Sequence, residues 1–232
     1  MSIASRGAVL HAAIGLSAIL AVCGHHLTAA DRWLVYFCKP LTTGLILLLA
    51  ATAPARPPHG YKWSIVSGLA FSLAGDVFLM LPGDYFLAGL ASFLPANLCY
   101  LVAFTRDSAF AAKPLPFVLW TAAGAGAVAF LWRGVPAELR LPVLVYIAAI
   151  LAMASQAASR HLSRRAPGSA AACLGATLFV ISDTLLAVHR FRPPSIASPA
   201  LVLPAYYAAQ WLIALSTRPA RPRVREGAPP HG

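Results

Sequence analysis

Eight apolar stretches, each about as long as a bilayer is thick, constrain this chain more than any other feature. They cover roughly residues 7–27, 33–53, 63–82, 84–104, 115–133, 141–158, 169–189 and 196–217. Lipid offers no partner for a backbone N–H or C=O, so each stretch is predicted to be a helix. The links carry turn residues, as in Pro54 to Gly60, Pro82-Gly83-Asp84 and Arg192-Pro193-Pro194-Ser195. Short links between long helices make sequence neighbours antiparallel. The expectation is an all-α, polytopic membrane helix bundle. A single domain of eight transmembrane helices occupies 1–217, and a disordered basic tail occupies 218–232. The first stretch has a lipoprotein-like end, Leu20-Ala21-Val22-Cys23, but Val22 is too large for that cleavage box, so it is read as a retained helix.

Composition narrows the class further. Only 11% of the 232 residues are charged and 59% are apolar, whereas soluble domains are about a quarter charged. The net charge of +11 does not point to nucleic acid, because the basic residues lie in short loops and the tail without an aromatic-interleaved patch. They read as topology signals and lipid contacts. Twelve of the 18 Lys and Arg residues fall on the side that holds both termini, five fall on the other side, and Lys39 lies within a helix. The positive-inside rule then places both termini in the cytoplasm. The Ala-, Arg- and Pro-rich composition suggests a bacterial inner membrane. Cys23, Cys38, Cys99 and Cys173 all fall in apolar segments, without metal-ligand or disulfide spacing, and read as small core residues.

Two carboxylates break the apolar pattern. Asp76 lies in Gly68 to Leu81, and Asp183 lies in Gly175 to Val188, each eight residues after a glycine. An ionisable residue at mid-membrane costs about 2.5–3.5 kcal/mol on insertion scales, so it faces a bundle interior or a wet cavity. The two Asp-bearing helices are parallel and four helices apart. With Pro40 and Pro142 near the starts of helices 2 and 6, this hints at a parallel four-helix repeat. Two carboxyls in a dry site can divide the roles of general acid and general base. The alternative is structural, with one Asp tied to Lys39 and the other hydrogen-bonded between helices.

Depth along the helices places further polar groups in the same slab, towards the outer face. Lys39 either neutralises an Asp, binds a lipid phosphate or snorkels outwards. Tyr146, Tyr206, Tyr207 and Gln210 either line a polar cavity or bond between helices, and Asn97 joins them from helix 4. His25, His26 and His189 read as interfacial. No His, Cys and carboxylate spacing suits a metal, no Ser is paired with a His, and no Gly-rich phosphate loop is present. The expectation is therefore no metal and no cofactor.

The chain resembles the YhhN-like lysoplasmalogenase family of eight-helix membrane proteins. The matching residues are Lys39-Pro40-Leu41, Gly68 to Leu81 with Gly75-Asp76, Gly89-Leu90-Ala91-Ser92-Phe93-Leu94, and Tyr146-x-x-x-Ile150-x-x-Met153. Leu178 to Asp183 and Tyr207-x-x-Gln210-Trp211-Leu212-Ile213 follow in the same order. The resemblance implies hydrolysis of the vinyl-ether bond of a lysoplasmalogen to a fatty aldehyde and a glycerophospho-alcohol. Its essential acids map to Asp76 and Asp183, and its partners are a lysolipid substrate and membrane lipids. Where the family usually has His in helix 4, this chain has Asn97, which can orient a neighbour but does not titrate near neutral pH. A proton-coupled transporter or lipid carrier is the alternative, because transporters also use buried carboxylates and repeats. Broken helices at the Asp positions would favour it.

Overall fold

The computed structural model describes residues 3–24, 32–54, 58, 60–193 and 199–218. The described chain forms eight α-helices in sequence order: α1 Ile3–Gly24, α2 Arg32–Ala51, α3 Tyr61–Met80, α4 Phe86–Thr105, α5 Leu115–Leu131, α6 Ala137–Arg164, α7 Ser169–Phe191 and α8 Pro199–Leu215. A 3-10 turn at Trp132–Gly134 closes α5. The first seven helices are long and apolar enough to cross a membrane. The eighth has 17 residues, about 26 Å at 1.5 Å per residue, and ends in a turn at Ser216 and Thr217. From residue 219 on, the predicted tail lies outside the described residues, as do His25 and His26.

Helix α6 runs past the predicted 141–158 at both ends. Apolar content marks only the part of a helix in lipid. The polar end of α6 is held instead by bonds to the α4–α5 segment. Gln156 Nε2 donates to Phe104 and Ala109 carbonyls, and Arg160 pairs with Asp107.

Helix packing closes a ring. α3 packs on α2 and α4, α4 on α6, α6 on α7, α7 on α8, and α8 returns to α2. α1 lies outside α2 and α8, and α5 lies outside α6 and α7. The peripheral positions explain why α5 exposes Val118 and Leu119 and buries little beyond Gly124 and Leu131. The ring interior inverts the usual order of a soluble core. Lys39, Thr43, Asp76, Asn97 and Gln210 are buried, while Trp33, Phe37 and Leu201 are exposed. Lipid solvates the apolar exterior, and the polar groups must satisfy one another inside.

The glycines that precede each Asp have a packing reason. A Cβ at Gly68 would run into the Tyr100 ring of α4, and one at Gly175 would meet the Ala209 carbonyl of α8 at 2.8 Å. Each glycine lets the next helix close on the Asp-bearing one. The cysteines are free, but of the four only Cys38 is buried; Cys99 and Cys173 are half-buried, and Cys23 is exposed because α1 lies outside the ring and turns that side to lipid.

Candidate active site

Asp76 sits in a closed set of donors. On α2, Lys39 Nζ is 3.7 Å from its Oδ1, and the Thr43 hydroxyl, one turn on, donates to Oδ2 at 2.6 Å. From α8 the Tyr206 hydroxyl donates to the same oxygen at 2.8 Å. The carboxylate is 2% exposed. Lys39 is therefore bound inward to Asp76 and does not snorkel to the surface. It does not line the cavity described below.

Asp183 lies across the ring in a different setting. Tyr146 of α6 donates to its Oδ2, and Asn97 Nδ2 donates to the Tyr146 hydroxyl at 3.3 Å and to the Phe93 carbonyl at 3.0 Å. The result is a directed chain from Asn97 through Tyr146 to the carboxyl. Asn97 Oδ1 is buried without a hydrogen-bond partner among the described residues. Asp183 is half-buried, and with Tyr146 it lines a cavity of about 360 Å3 whose other walls are almost wholly apolar. That size falls in the range of about 300–1,000 Å3 seen for ligand sites. The cavity runs between α4, α5, α6 and α7, from Trp120 and Leu151 at mid-bundle to Phe86, Leu131 and Phe191, where α4 begins and α5 and α7 end.

An aromatic partition separates the two carboxyls. Phe93 meets Phe179 and Tyr206 at ring-centroid distances of 6.2 and 5.9 Å, and Phe179 meets Tyr206 at 5.8 Å. Gln210 Oε1 accepts from the Tyr100 hydroxyl at 2.7 Å, with Ser72 3.3 Å from that same hydroxyl. Tyr207 is buried against Tyr206, with ring centroids 5.5 Å apart, but no hydrogen bond links it to either carboxyl.

Thr43, Ser72 and Tyr100 are the members that the sequence reading passed over. The helical period points to all three. Thr43 is four residues after Lys39, Ser72 four before Asp76 and Tyr100 three after Asn97, so each shares a face with a residue already singled out. Among the described residues, no group of three or more His, Cys, Asp or Glu forms.

Two arginines, Arg190 and Arg192, stand near the end of the cavity that Phe86, Leu131 and Phe191 line. Arg190 pairs with Asp84 of the α3–α4 loop and lies over the Phe86 ring at 5.4 Å. The hydrogen bond from Arg190, with a second from the Phe86 N–H, holds the Asp84 carboxyl below its ordinary range. Arg192 Nε donates to the Phe130 carbonyl at 3.0 Å, and its guanidinium lies 4.7 Å from that ring. Arg190 is seven residues after Asp183 on α7, two turns and about 10 Å along the axis.

A model described as the YhhN family matches residues 34–217. The chain belongs to the YhhN family. The "Uncharacterized membrane protein YhhN" of Escherichia coli O157:H7 is 30% identical over 205 residues, covering 88% of this chain and 96% of that one. "Lysoplasmalogenase TMEM86A" of Homo sapiens is 32% identical, over 81% of this chain and 78% of the relative. "Lysoplasmalogenase" of Mycobacterium tuberculosis is 33% identical, over 73% and 66%. No solved structure matches the chain. An integral, multi-pass membrane protein follows from the YhhN membership together with the seven span-length helices.

Proposed function

We propose that this protein is a membrane-embedded lysoplasmalogenase that hydrolyses the vinyl-ether bond of a lysoplasmalogen, with Asp183 as the reacting carboxyl and Asp76 as its electrostatic partner. The observation that carries this reading is the position of Asp183, hydrogen-bonded to Tyr146 on the wall of an apolar cavity of about 360 Å3. Relatives named lysoplasmalogenase support the substrate class.

A vinyl ether is hydrolysed by protonation on carbon. Asp183 gives its proton to the carbon distal to the ether oxygen, the double bond is consumed, and positive charge develops across the adjacent carbon and the oxygen. The Asp183 carboxylate left behind, and the Asp76 charge beyond the aromatic partition, stabilise that cation in a medium of low dielectric. Water then adds to the cationic carbon and returns one proton to Asp183. The hemiacetal breaks as its hydroxyl proton passes to the glycerol oxygen, releasing fatty aldehyde and glycerophospho-alcohol. Paired carboxylates carry glycosides through a similar cation. Tyr146, held by Asn97, fixes the carboxyl, an orienting duty that needs no titrating side chain.

In this reading the alkenyl chain occupies the apolar cavity, and the headgroup phosphate lies at the outer rim near Arg190 and Arg192. With both termini in the cytoplasm, that rim faces away from it. α3 and α7 are continuous through their Asp residues, which favours an enzyme over an alternating-access carrier. The test is aldehyde release by the detergent-purified protein from 1-alkenyl, 1-alkyl and 1-acyl glycerophosphoethanolamine. Aldehyde from the alkenyl lipid alone, carrying one deuterium next to the carbonyl when formed in D2O, is expected. No aldehyde from the alkenyl lipid, or equal turnover of the acyl lipid, overturns the reading.

A further inference from the structure

A second cavity, of about 710 Å3, opens at the opposite end of the bundle, where α3 begins and α6 ends. Arg106, Asp107, Arg160 and Arg164 make up its charged wall. Arg160 is 2% exposed. Its Nε and Nη2 grip the two Asp107 oxygens at 2.6 and 2.7 Å, and its guanidinium lies 4.9 Å from the Tyr61 ring centre. Among the described residues its Nη1 is buried with no hydrogen-bond partner. A charged N–H withdrawn from water normally finds an acceptor. Asp107 is already engaged, which leaves the cavity as a source of that acceptor.

Two more guanidiniums, Arg106 and Arg164, stand exposed at the rim. Arg106 packs against Gly60, whose positive φ of 91° turns the chain into α3. The cavity also looks onto the start of α3, which has no side-chain cap and presents the positive end of its helix dipole. The facing segment is firmly built. Ala111 N–H donates to Gln156 Oε1 at 3.0 Å, and Lys113 N–H donates to Ser159 Oγ at 2.8 Å.

The site is separate from the one that holds Asp183. Tyr61 is 15 residues from Asp76 along α3, and Arg160 is 14 from Tyr146 along α6. The separations come to about 21–23 Å. The phosphorus and ether oxygen of one glycerophospholipid are roughly five bonds apart, on the order of 7 Å. A single lipid therefore cannot reach both.

We infer that this basic cavity is a second ligand site, which takes a phosphate-bearing anion. Three guanidiniums against one carboxylate leave a positive excess, and the planar forks of Arg match phosphate oxygens. Arg160 Nη1 supplies the buried donor, and Arg106 and Arg164 close over the anion from the rim. A phospholipid headgroup and a soluble phosphate ester share this chemistry.

The test uses the full chain in phosphatidylcholine nanodiscs. One arm adds phosphatidylglycerol and reads lipid retention by native mass spectrometry. The other titrates glycerol 3-phosphate and reads the thermal unfolding midpoint. The comparison protein carries Arg106→Gln with Arg164→Gln, both exposed, so the buried Arg160–Asp107 pair stays intact. Binding in either arm that weakens at least tenfold in the double variant supports the site. Retention of phosphatidylglycerol alone assigns a lipid headgroup, and a shift with glycerol 3-phosphate assigns a soluble ester. Binding in neither arm, or equal binding by both proteins, overturns it.

Discussion

The two intramembrane carboxyls occupy corresponding positions on α3 and α7, yet their surroundings differ in kind. Asp76 has a lysine and two hydroxyls directed at it and is 2% exposed. Asp183 has one tyrosine and an open apolar cavity. The residues that make the difference also correspond. Tyr146 stands 107 residues after Lys39, the same offset that separates the two Asp residues. Where one half places a cation beside its carboxylate, the other places a neutral phenol. A carboxylate held by a buried lysine and two hydroxyls is fixed in place. One that faces a cavity through a phenol is free to exchange a proton with whatever enters. In the proposed reading, one of these charges stays and the other reacts.

This contrast can be broken most sharply at Asp183. Asp183→Asn removes the reacting proton and leaves the amide able to accept from Tyr146. Aldehyde release is expected to fall about 10²–10⁴-fold, the range for a lost general acid–base, with little change in the unfolding midpoint. Asp76→Asn should behave in the reverse proportion. It leaves Lys39 a buried cation without its carboxylate, and breaking such a pair costs about 3–5 kcal/mol. The unfolding midpoint should drop markedly, and adding Lys39→Met should restore most of it. A smaller effect is expected from Tyr146→Phe, which frees the carboxyl to rotate. About a tenfold loss in kcat with unchanged KM would mark an orienting role.

The smallest effect concerns the rim. The Asp84 carboxyl is held below its ordinary range by Arg190, so its folded value lies under the unfolded one of about 3.9. The sign follows: the contact's contribution is complete above that unfolded value and is lost as pH falls through the folded one. An Asp84→Asn variant should track the parent's stability profile above about pH 5 and lose less than the parent below it. The group is exposed, so the difference is expected to be slight.

Much of the fold was legible because lipid removes choices. Apolar runs of span length had to be helices, and α2, α3, α4 and α7 lie within a few residues of their predicted bounds. The end of α6 was hidden, because its last turns are polar and held by tertiary bonds such as Arg160 to Asp107. Asp76, Asp183, Lys39 and Tyr146 stood out because polar groups are costly in lipid. Their unlike surroundings were not legible. Depth along a helix can be counted from the sequence, but which helix faces which depends on how the ring closes. That closure set Lys39 against Asp76 and opened the cavity at Asp183. The arginines of the rim went unremarked as binding groups, because in sequence they are ordinary loop charges at a membrane surface.

The central claim is that Asp183 is the reacting carboxyl and Asp76 the fixed charge. The most direct test measures aldehyde release and thermal unfolding side by side for the parent, Asp183→Asn and Asp76→Asn in one detergent. The account predicts an Asp183→Asn protein that is folded as well as the parent and nearly inactive, beside an Asp76→Asn protein that is clearly destabilised. Parent-like turnover by a folded Asp183→Asn protein would contradict it.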